Sequence, residues 1–377
     1  MSMKKFLKAL FSIIVVLAVV IALVWGKEFK TISSVEQVGD NKYLYKMEYY
    51  ANYDLDDVLA ANLDGNKDVL NYVVGRVTKG LPIKLSQTKD VKDTIGFACT
   101  SFQAKNADGE GCFYGRNYDF FKNPTLVTVS HPKNGYSSIA VSDMSHFGYS
   151  LEKLPTDLKS KVLTIASVYA PVDGINEKGL CTSIMALPKQ PAQQDNGKPK
   201  AGTTIIMRLF LDRCATVQEA LDLLETVDVR HDLIAGSGYH YMVADANGDC
   251  AVIEFDLFDG WKTMIVRKDE NSNFMHVTNH LLSPKYYTTE PDPVVGNPHS
   301  KSWWRYETAG AYLTEKNGIL SLEEAQECLA LVHWKDLVWD NGMVEDTQYS
   351  AVYDQKIPAL YLRNWNDYEN TVKFDLD

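Results

Sequence analysis

Cys99-Thr100-Ser101-Phe102-Gln103, then Asn106-Ala107-Asp108-Gly109, then Cys112-Phe113-Tyr114-Gly115-Arg116-Asn117-Tyr118-Asp119 is the stretch on which the reading of this chain turns. Two extended runs flank a turn-forming tetrapeptide, which predicts a β-hairpin. A second hairpin is predicted from Tyr239 to Asp245 and Cys250 to Phe255, around an Asn247-Gly248 turn. A third is expected near the C-terminus, from Gln348 to Tyr353 and Ala359 to Arg363. Two capping boxes, Thr216-Val217-Gln218-Glu219 and Ser321-Leu322-Glu323-Glu324, open helices with Ala220, Leu221 and Leu224, or Ala325, Leu329 and Val332, on one face. Strands grouped in hairpins with helices between the groups predict a layered α+β fold.

Outside this region the chain changes character twice. Met1 to Lys8 carries Lys4, Lys5 and Lys8, and Ala9 to Gly26 is uncharged and almost wholly apolar. At about 1.5 Å rise per residue, such a run is just long enough to span a bilayer. The lysines before it favour an N-terminus kept inside and a body sent out. Residues 1–26 therefore read as a membrane anchor, or as a cleaved signal sequence although no A-x-A site follows. The body is expected outside the cell, anchored or secreted. Residues 27–98 are polar, with Asp54, Asp56 and Asp57 leading into a helical pattern of Leu59, Leu63, Val69, Leu70, Val73 and Val74. This segment has too little apolar surface for its own core and reads as a stalk or a pro-segment docked on something larger.

The chain has 377 residues, 45% of them hydrophobic, and a formal net charge of -11 without a basic stretch in its soluble part. Nucleic acid is excluded as a partner on that ground. None of the six cysteines (Cys99, Cys112, Cys181, Cys214, Cys250, Cys328) forms a C-x-x-C pair, so zinc and dithiol chemistry are not indicated. No H-E-x-x-H or G-x-S-x-G occurs, and the Gly109-to-Gly115 glycines sit inside a hairpin with the wrong spacing for a dinucleotide loop.

The Cys99-Thr100-Ser101 start followed by Gly115-Arg116-Asn117-Tyr118-Asp119 resembles the opening of the linear amide C–N hydrolases, the choloylglycine hydrolase, penicillin V acylase and acid ceramidase group. The resemblance continues in order through Asp173-Gly174-Ile175-Asn176-Glu177-Lys178-Gly179-Leu180, Tyr241 to Asp245 with Ile253-Glu254, Val277-Thr278-Asn279, Ser302-Trp303-Trp304-Arg305 and Thr347 to Tyr353. It implies a four-layer αββα sandwich of antiparallel sheets over 99–377, an N-terminal-nucleophile hydrolase domain preceded by the anchor and pro-segment. It also implies autocatalytic cutting of Ala98–Cys99. One departure stands out: where bile-salt and penicillin-type members carry a side-chain donor after the N-E-x-G-L segment, this chain has Ala186.

The chemistry can be argued from Cys99 itself. A thiol titrates near about 8.5 and an α-amine near about 8. A Cys99 that begins a chain therefore carries nucleophile and base on one residue, with no histidine needed. His276 and His280, which flank Asn279, are expected to pack rather than react. In the implied site, Arg116 holds positive charge at the sulfur, Asp119 orients the α-ammonium, Asn279 donates to the oxyanion, and Arg305 pairs with the site from a helix start. Asn176 is expected to fix a turn. Tyr118, Phe120, Phe121, Met185, Trp303 and Trp304 are expected as apolar pocket walls. No metal or organic cofactor is called for, and the partner expected is a small N-acyl amide. The same acyl-enzyme could pass its acyl group to an amine, making an acyltransferase. A third reading is a non-catalytic surface binding protein on this scaffold, whose chain would stay uncut.

Overall fold

The computed structural model describes residues 24–79, 98–187, 191–231, 237–286, 301–338, 342 and 344–376. The apolar run read as an anchor lies outside these residues except at its end, where residues 24–33 are helical (α1). No helix among the described residues is long and apolar enough to cross a membrane.

Along the chain follow β1 (Glu36–Val38), β2 (Asn41–Tyr49), α2 (Leu55–Ala60), α3 (Asn66–Thr78), β3 (Ala98–Asn106), β4 (Cys112–Phe120), β5 (Thr125–Ser130) and β6 (Ser138–Asp143). After two 3₁₀ segments come β7 (Asp173–Asn176), β8 (Cys181–Leu187), β9 (Lys200–Gly202), α4 (Thr203–Arg213), α5 (Val217–Leu224), β10 (Asp228–Arg230), β11 (Gly238–Ala244), β12 (Cys250–Phe255), β13 (Thr263–Arg267) and β14 (Phe274–Val277). The chain ends with α6 (Lys301–Glu315), β15 (Ile319–Leu320), α7 (Leu322–Leu331), β16 (Leu337–Val338), β17 (Val344–Asp354), β18 (Ala359–Asn364) and β19 (Asp367–Asp375). All three expected hairpins form, as β3–β4, β11–β12 and β17–β18. Both expected N-caps are made: Thr216 and Ser321 accept from the backbone of Glu219 and Glu324, and only Ser321 closes the reciprocal box.

Among the described residues the strands build two large sheets, ordered β1-β2-β5-β6-β7-β8-β11-β12-β13 and β14-β3-β4-β17-β18-β19. Side chains of a strand alternate between its faces. On β3, Cys99, Ser101 and Gln103 point at the other sheet, where Ser101 meets Ser183 at 2.9 Å and Gln103 donates to Asp245 O at 3.1 Å. Phe102 and Ala104 point the other way, into an apolar layer with Ala309, Leu313, Ala325 and Leu329 of α6 and α7. Each fully buried Phe or Leu side chain in this layer stabilises by about 1.5–3 kcal/mol. Gly115 is required there, since a Cβ on it would lie 2.3 Å from the Phe102 ring. Helix α4 is buried almost all round and lies against β7 and β8, so helices cover the outer faces of both sheets.

The residues read as a pro-segment join this fold by strand addition. β2 runs parallel to β5, pairing Leu44–Tyr49 with Thr125–Ser130, an exception to the antiparallel pairing expected. The helical pattern after Asp54 splits into α2 and α3, because Asn62 (φ 50) and Gly65 (φ 106) take left-handed backbone between them.

Candidate active site

Strand register places Cys99. Cys99 pairs with Tyr118 and Ser101 with Arg116 across β3–β4, so Cys99 and Arg116 are diagonal neighbours on the inter-sheet face. That spacing is within reach of a long side chain. Asp119, three residues after Arg116, falls on the opposite face and stands opposite Ala98. Cys99 is 2% exposed, and β3 continues through Ala98, so the Ala98–Cys99 peptide lies inside the sheet.

Cys99 is held from both backbone ends. Its N–H donates to Asn279 Oδ1 at 2.5 Å, and its carbonyl accepts from Arg305 Nη1. Arg305 also donates to Asn279 Oδ1 at 2.8 Å and to Thr100 Oγ1 at 3.1 Å. The S-x-x-R spacing explains how one helix serves both contacts. Ser302 Oγ accepts the Asn279 N–H at 2.9 Å, and Arg305, one turn on along the same face, reaches the side chain. Asn279 Nδ2 donates to Ala186 O at 2.7 Å, so the position without a side-chain donor enters through its carbonyl. The chain before and after Asn279 is fixed by His240 Nε2 on Thr278 O at 2.7 Å and by Glu254, which accepts the N–H groups of Leu282 and Ser283.

The five expected residues, Cys99, Arg116, Asp119, Asn279 and Arg305, are thus brought together, with different partners from those expected. Arg116 pairs with Asp173 Oδ2 at 3.4 Å across the sheets, both side chains fully buried. Asp173 in turn accepts from Tyr349 and Tyr353. The two Nη atoms of Arg116 have no hydrogen-bond partner among the described residues. Asp119 accepts from Thr347 Oγ1 at 2.6 Å, and its other oxygen lies 3.9 Å from Arg305. Asn279 Oδ1 accepts from the Cys99 nitrogen, where donation to an oxyanion was expected. Glu345, a residue the motifs did not single out, accepts the Ala98 N–H at 2.8 Å.

Burial sets the electrostatics. It pushes the Cys99 thiol up; Arg116 and Arg305 pull it back, Asp119 adds to the rise, and the net direction is upward. Burial likewise raises Asp119 to about 7, with Glu345 adding to the rise while Arg305, Thr347 and Arg116 oppose it. Asp173 is raised by burial against the pull of Arg116 and its hydrogen bonds.

Of the other expectations, Asn176 does fix a turn: Oδ1 accepts from Lys178 and Leu180, and Nδ2 donates to Leu211 O and Cys214 O. Gly179 in that turn has φ +78 and no room for a Cβ, which would lie 2.2 Å from Gln355 O. All six cysteines are buried free thiols. His276 stacks on Tyr306 and His280 bonds Ser302, as packing groups. Tyr118 stacks on Tyr349, Phe120 packs on Phe121, and Trp304 is half-exposed against Trp334. Met185 accepts from Ser101 and Ser183, and Trp303 packs on His280 and Tyr306.

The structure is similar to a mutant conjugated bile acid hydrolase from Clostridium perfringens (TM-score 0.53, 16% identity, covering 74% of this chain and 92% of that one). It is also similar to penicillin V acylase from Agrobacterium tumefaciens (TM-score 0.50, 17% identity, 74% and 86% covered). At these identities the likeness is one of fold. No curated protein matches the sequence. The family described as acyl-coenzyme A:6-aminopenicillanic acid acyl-transferase matches residues 160–362, a span that includes Asn279 and Arg305 and lies C-terminal to Cys99. With more than half of its length so matched, the chain belongs to that acyl-transferase family, and it shares the fold of the two amide hydrolases.

Proposed function

We propose that this protein is a cysteine amidohydrolase that cuts its own Ala98–Cys99 bond and then cleaves linear N-acyl amides through an acyl-enzyme on Cys99. The observation that carries the reading is the two-sided grip on Cys99, N–H on Asn279 and C=O on Arg305, beside the buried charge of Arg116. Such a grip fixes where the sulfur points. The near-complete burial of Cys99 suits a precursor closed to substrate.

In self-cleavage, Cys99 Sγ bonds to the Ala98 carbonyl carbon and the Ala98 C–Cys99 N bond breaks. The thiol proton ends on the departing nitrogen. Water hydrolyses the thioester, leaving a carboxylate on Ala98 and a free amine and thiol on Cys99. In turnover that neutral amine takes the thiol proton, the sulfur acylates, and the proton leaves with the amine product; water then releases the acid. Asn279 Oδ1 already sits where it can accept from the amine. The buried guanidinium of Arg116 favours thiolate against burial. Asn279 Nδ2, close to Ala186 O, is the donor for the oxyanion, a role typically contributing about 2.7–4 kcal/mol. Conjugated bile acids and related acyl amides are the substrates to test.

Intact-mass measurement and N-terminal sequencing test the first step. Wild-type protein should yield a fragment beginning at Cys99, and Cys99→Ala a full-length, inactive chain; a Cys99→Ala chain cut normally would refute self-cleavage. The family match favours a second reading, transfer of the acyl group to an amine. Product analysis with and without an added amine separates the two. The N-terminal apolar run tethers the body to a membrane or is removed on export, and residues 27–98 stay bound after the cut.

A further inference from the structure

We infer that Glu345 is a positioning residue for self-cleavage, gripping the chain on the N-terminal side of the scissile bond and setting the charge around Asp119. This rests on Cys99 being a self-processing nucleophile. Ala98 and Glu345 are 4% and 1% exposed, and the Ala98 N–H meets Glu345 Oε1 at 2.8 Å. Burying a carboxylate is costly unless it is well bonded. Here it is placed, from 247 residues away in sequence, on the residue just before the nucleophile. Glu345 holds the Ala98 N–H, Asn279 the Cys99 N–H, and Arg305 the Cys99 carbonyl. The Ala98 carbonyl that the sulfur must attack therefore lies between two clamped nitrogens, which restricts its rotation away from the thiol.

Glu345 also stands two residues before Thr347, the donor to Asp119. The charged or titratable groups acting on or beside Asp119 are Arg305 of α6, Arg116 of β4, Cys99 of β3, Glu345 of β17 and Tyr368 of β19. The negative charge of Glu345 adds to burial in keeping a proton on Asp119 near neutrality. Asp119 stands opposite Ala98 across β3–β4, and kept neutral it places no negative charge beside the thiol that attacks, whose own proton goes to the departing nitrogen. Once the cut is made and water has opened the thioester, the new Ala98 carboxylate is beside Glu345, and like charges push it out of the site.

The test follows cleavage of freshly synthesised full-length chains in a cell-free reaction, by intact mass, across pH. Wild type, Cys99→Ala, Glu345→Ala and Glu345→Gln are compared. Glu345→Ala should cut at least about tenfold more slowly. Glu345→Gln keeps an acceptor oxygen without the charge; it should cut well at acid pH and lose rate about one pH unit lower than wild type. Either variant matching wild type in rate and profile, with Cys99→Ala blocked, overturns the inference. So does a Glu345→Gln that is slower at every pH with an unmoved profile, the mark of a merely structural role. If Glu345→Ala fails to fold by circular dichroism, Glu345→Gln decides. A wild type that never cuts, or a Cys99→Ala that does, removes the underlying reading instead.

Discussion

Arg116 shows how a motif fixes a residue and leaves its partner hidden. The G-R-N-Y-D run puts Arg116 and Asp119 three apart, hence on opposite faces of β4. The carboxylate that offsets Arg116 is Asp173, in the other sheet, steadied by Tyr349 and Tyr353. Removing one member of a buried ion pair leaves the other uncompensated, a cost of about 3–5 kcal/mol. Asp173→Asn should therefore lower the unfolding free energy of the full-length Cys99→Ala chain, measured by denaturant titration, by about 3–5 kcal/mol. Tyr349→Phe, which removes one of its hydrogen bonds, should cost about 1–3 kcal/mol. Equal stabilities would mean that Asp173 does not offset Arg116. Asp173 was visible in the sequence only as the first residue of the matched segment that runs to Leu180, with no sign of its partner. Glu345 left no trace, because its partner is distant and polar neighbours surround it.

Among the elements, those with local signals were legible. The Asn-Gly turn announced β11–β12, and Ser321 announced α7. Helix α4 carried no amphipathic pattern because it is buried nearly all round. β2 was obscured by Lys42, Lys46 and Glu48, although Tyr45, Met47 and Tyr49 alternate inward as a half-buried strand should. That strand decides whether residues 27–79 stay after the proposed cut. Leu44, Tyr45, Met47 and Tyr49 are all buried, at about 1.5–3 kcal/mol for each side chain fully removed from water. The ion pairs of Asp64 with Lys200 and Arg230, and of Asp56 with Arg213, are partly exposed and contribute about 0–1 kcal/mol each. Leu44→Asp should therefore release the N-terminal fragment of the processed protein on gel filtration, whereas Asp64→Ala should leave it bound. Lys200 holds the Asp64 carboxyl below its usual range, so that pair stabilises at neutral pH and is lost only as pH falls through the lowered value.

For the molecule as a whole, the α+β layering was readable because hairpins and caps are local, and the order of motifs gave the family pattern from Cys99 onward. What sequence could not supply was long-range pairing: β2 on β5, Asp173 beneath Arg116, Glu345 over Ala98.

The parallel seam between β2 and β5 has a consequence for how the proposed two-chain product would endure heat. In the full-length chain the nine-stranded sheet is threaded by one covalent chain; after the proposed cut its edge would belong to a second polypeptide. Melting would then scatter two molecules, so recovery on cooling would depend on their meeting again and weaken with dilution.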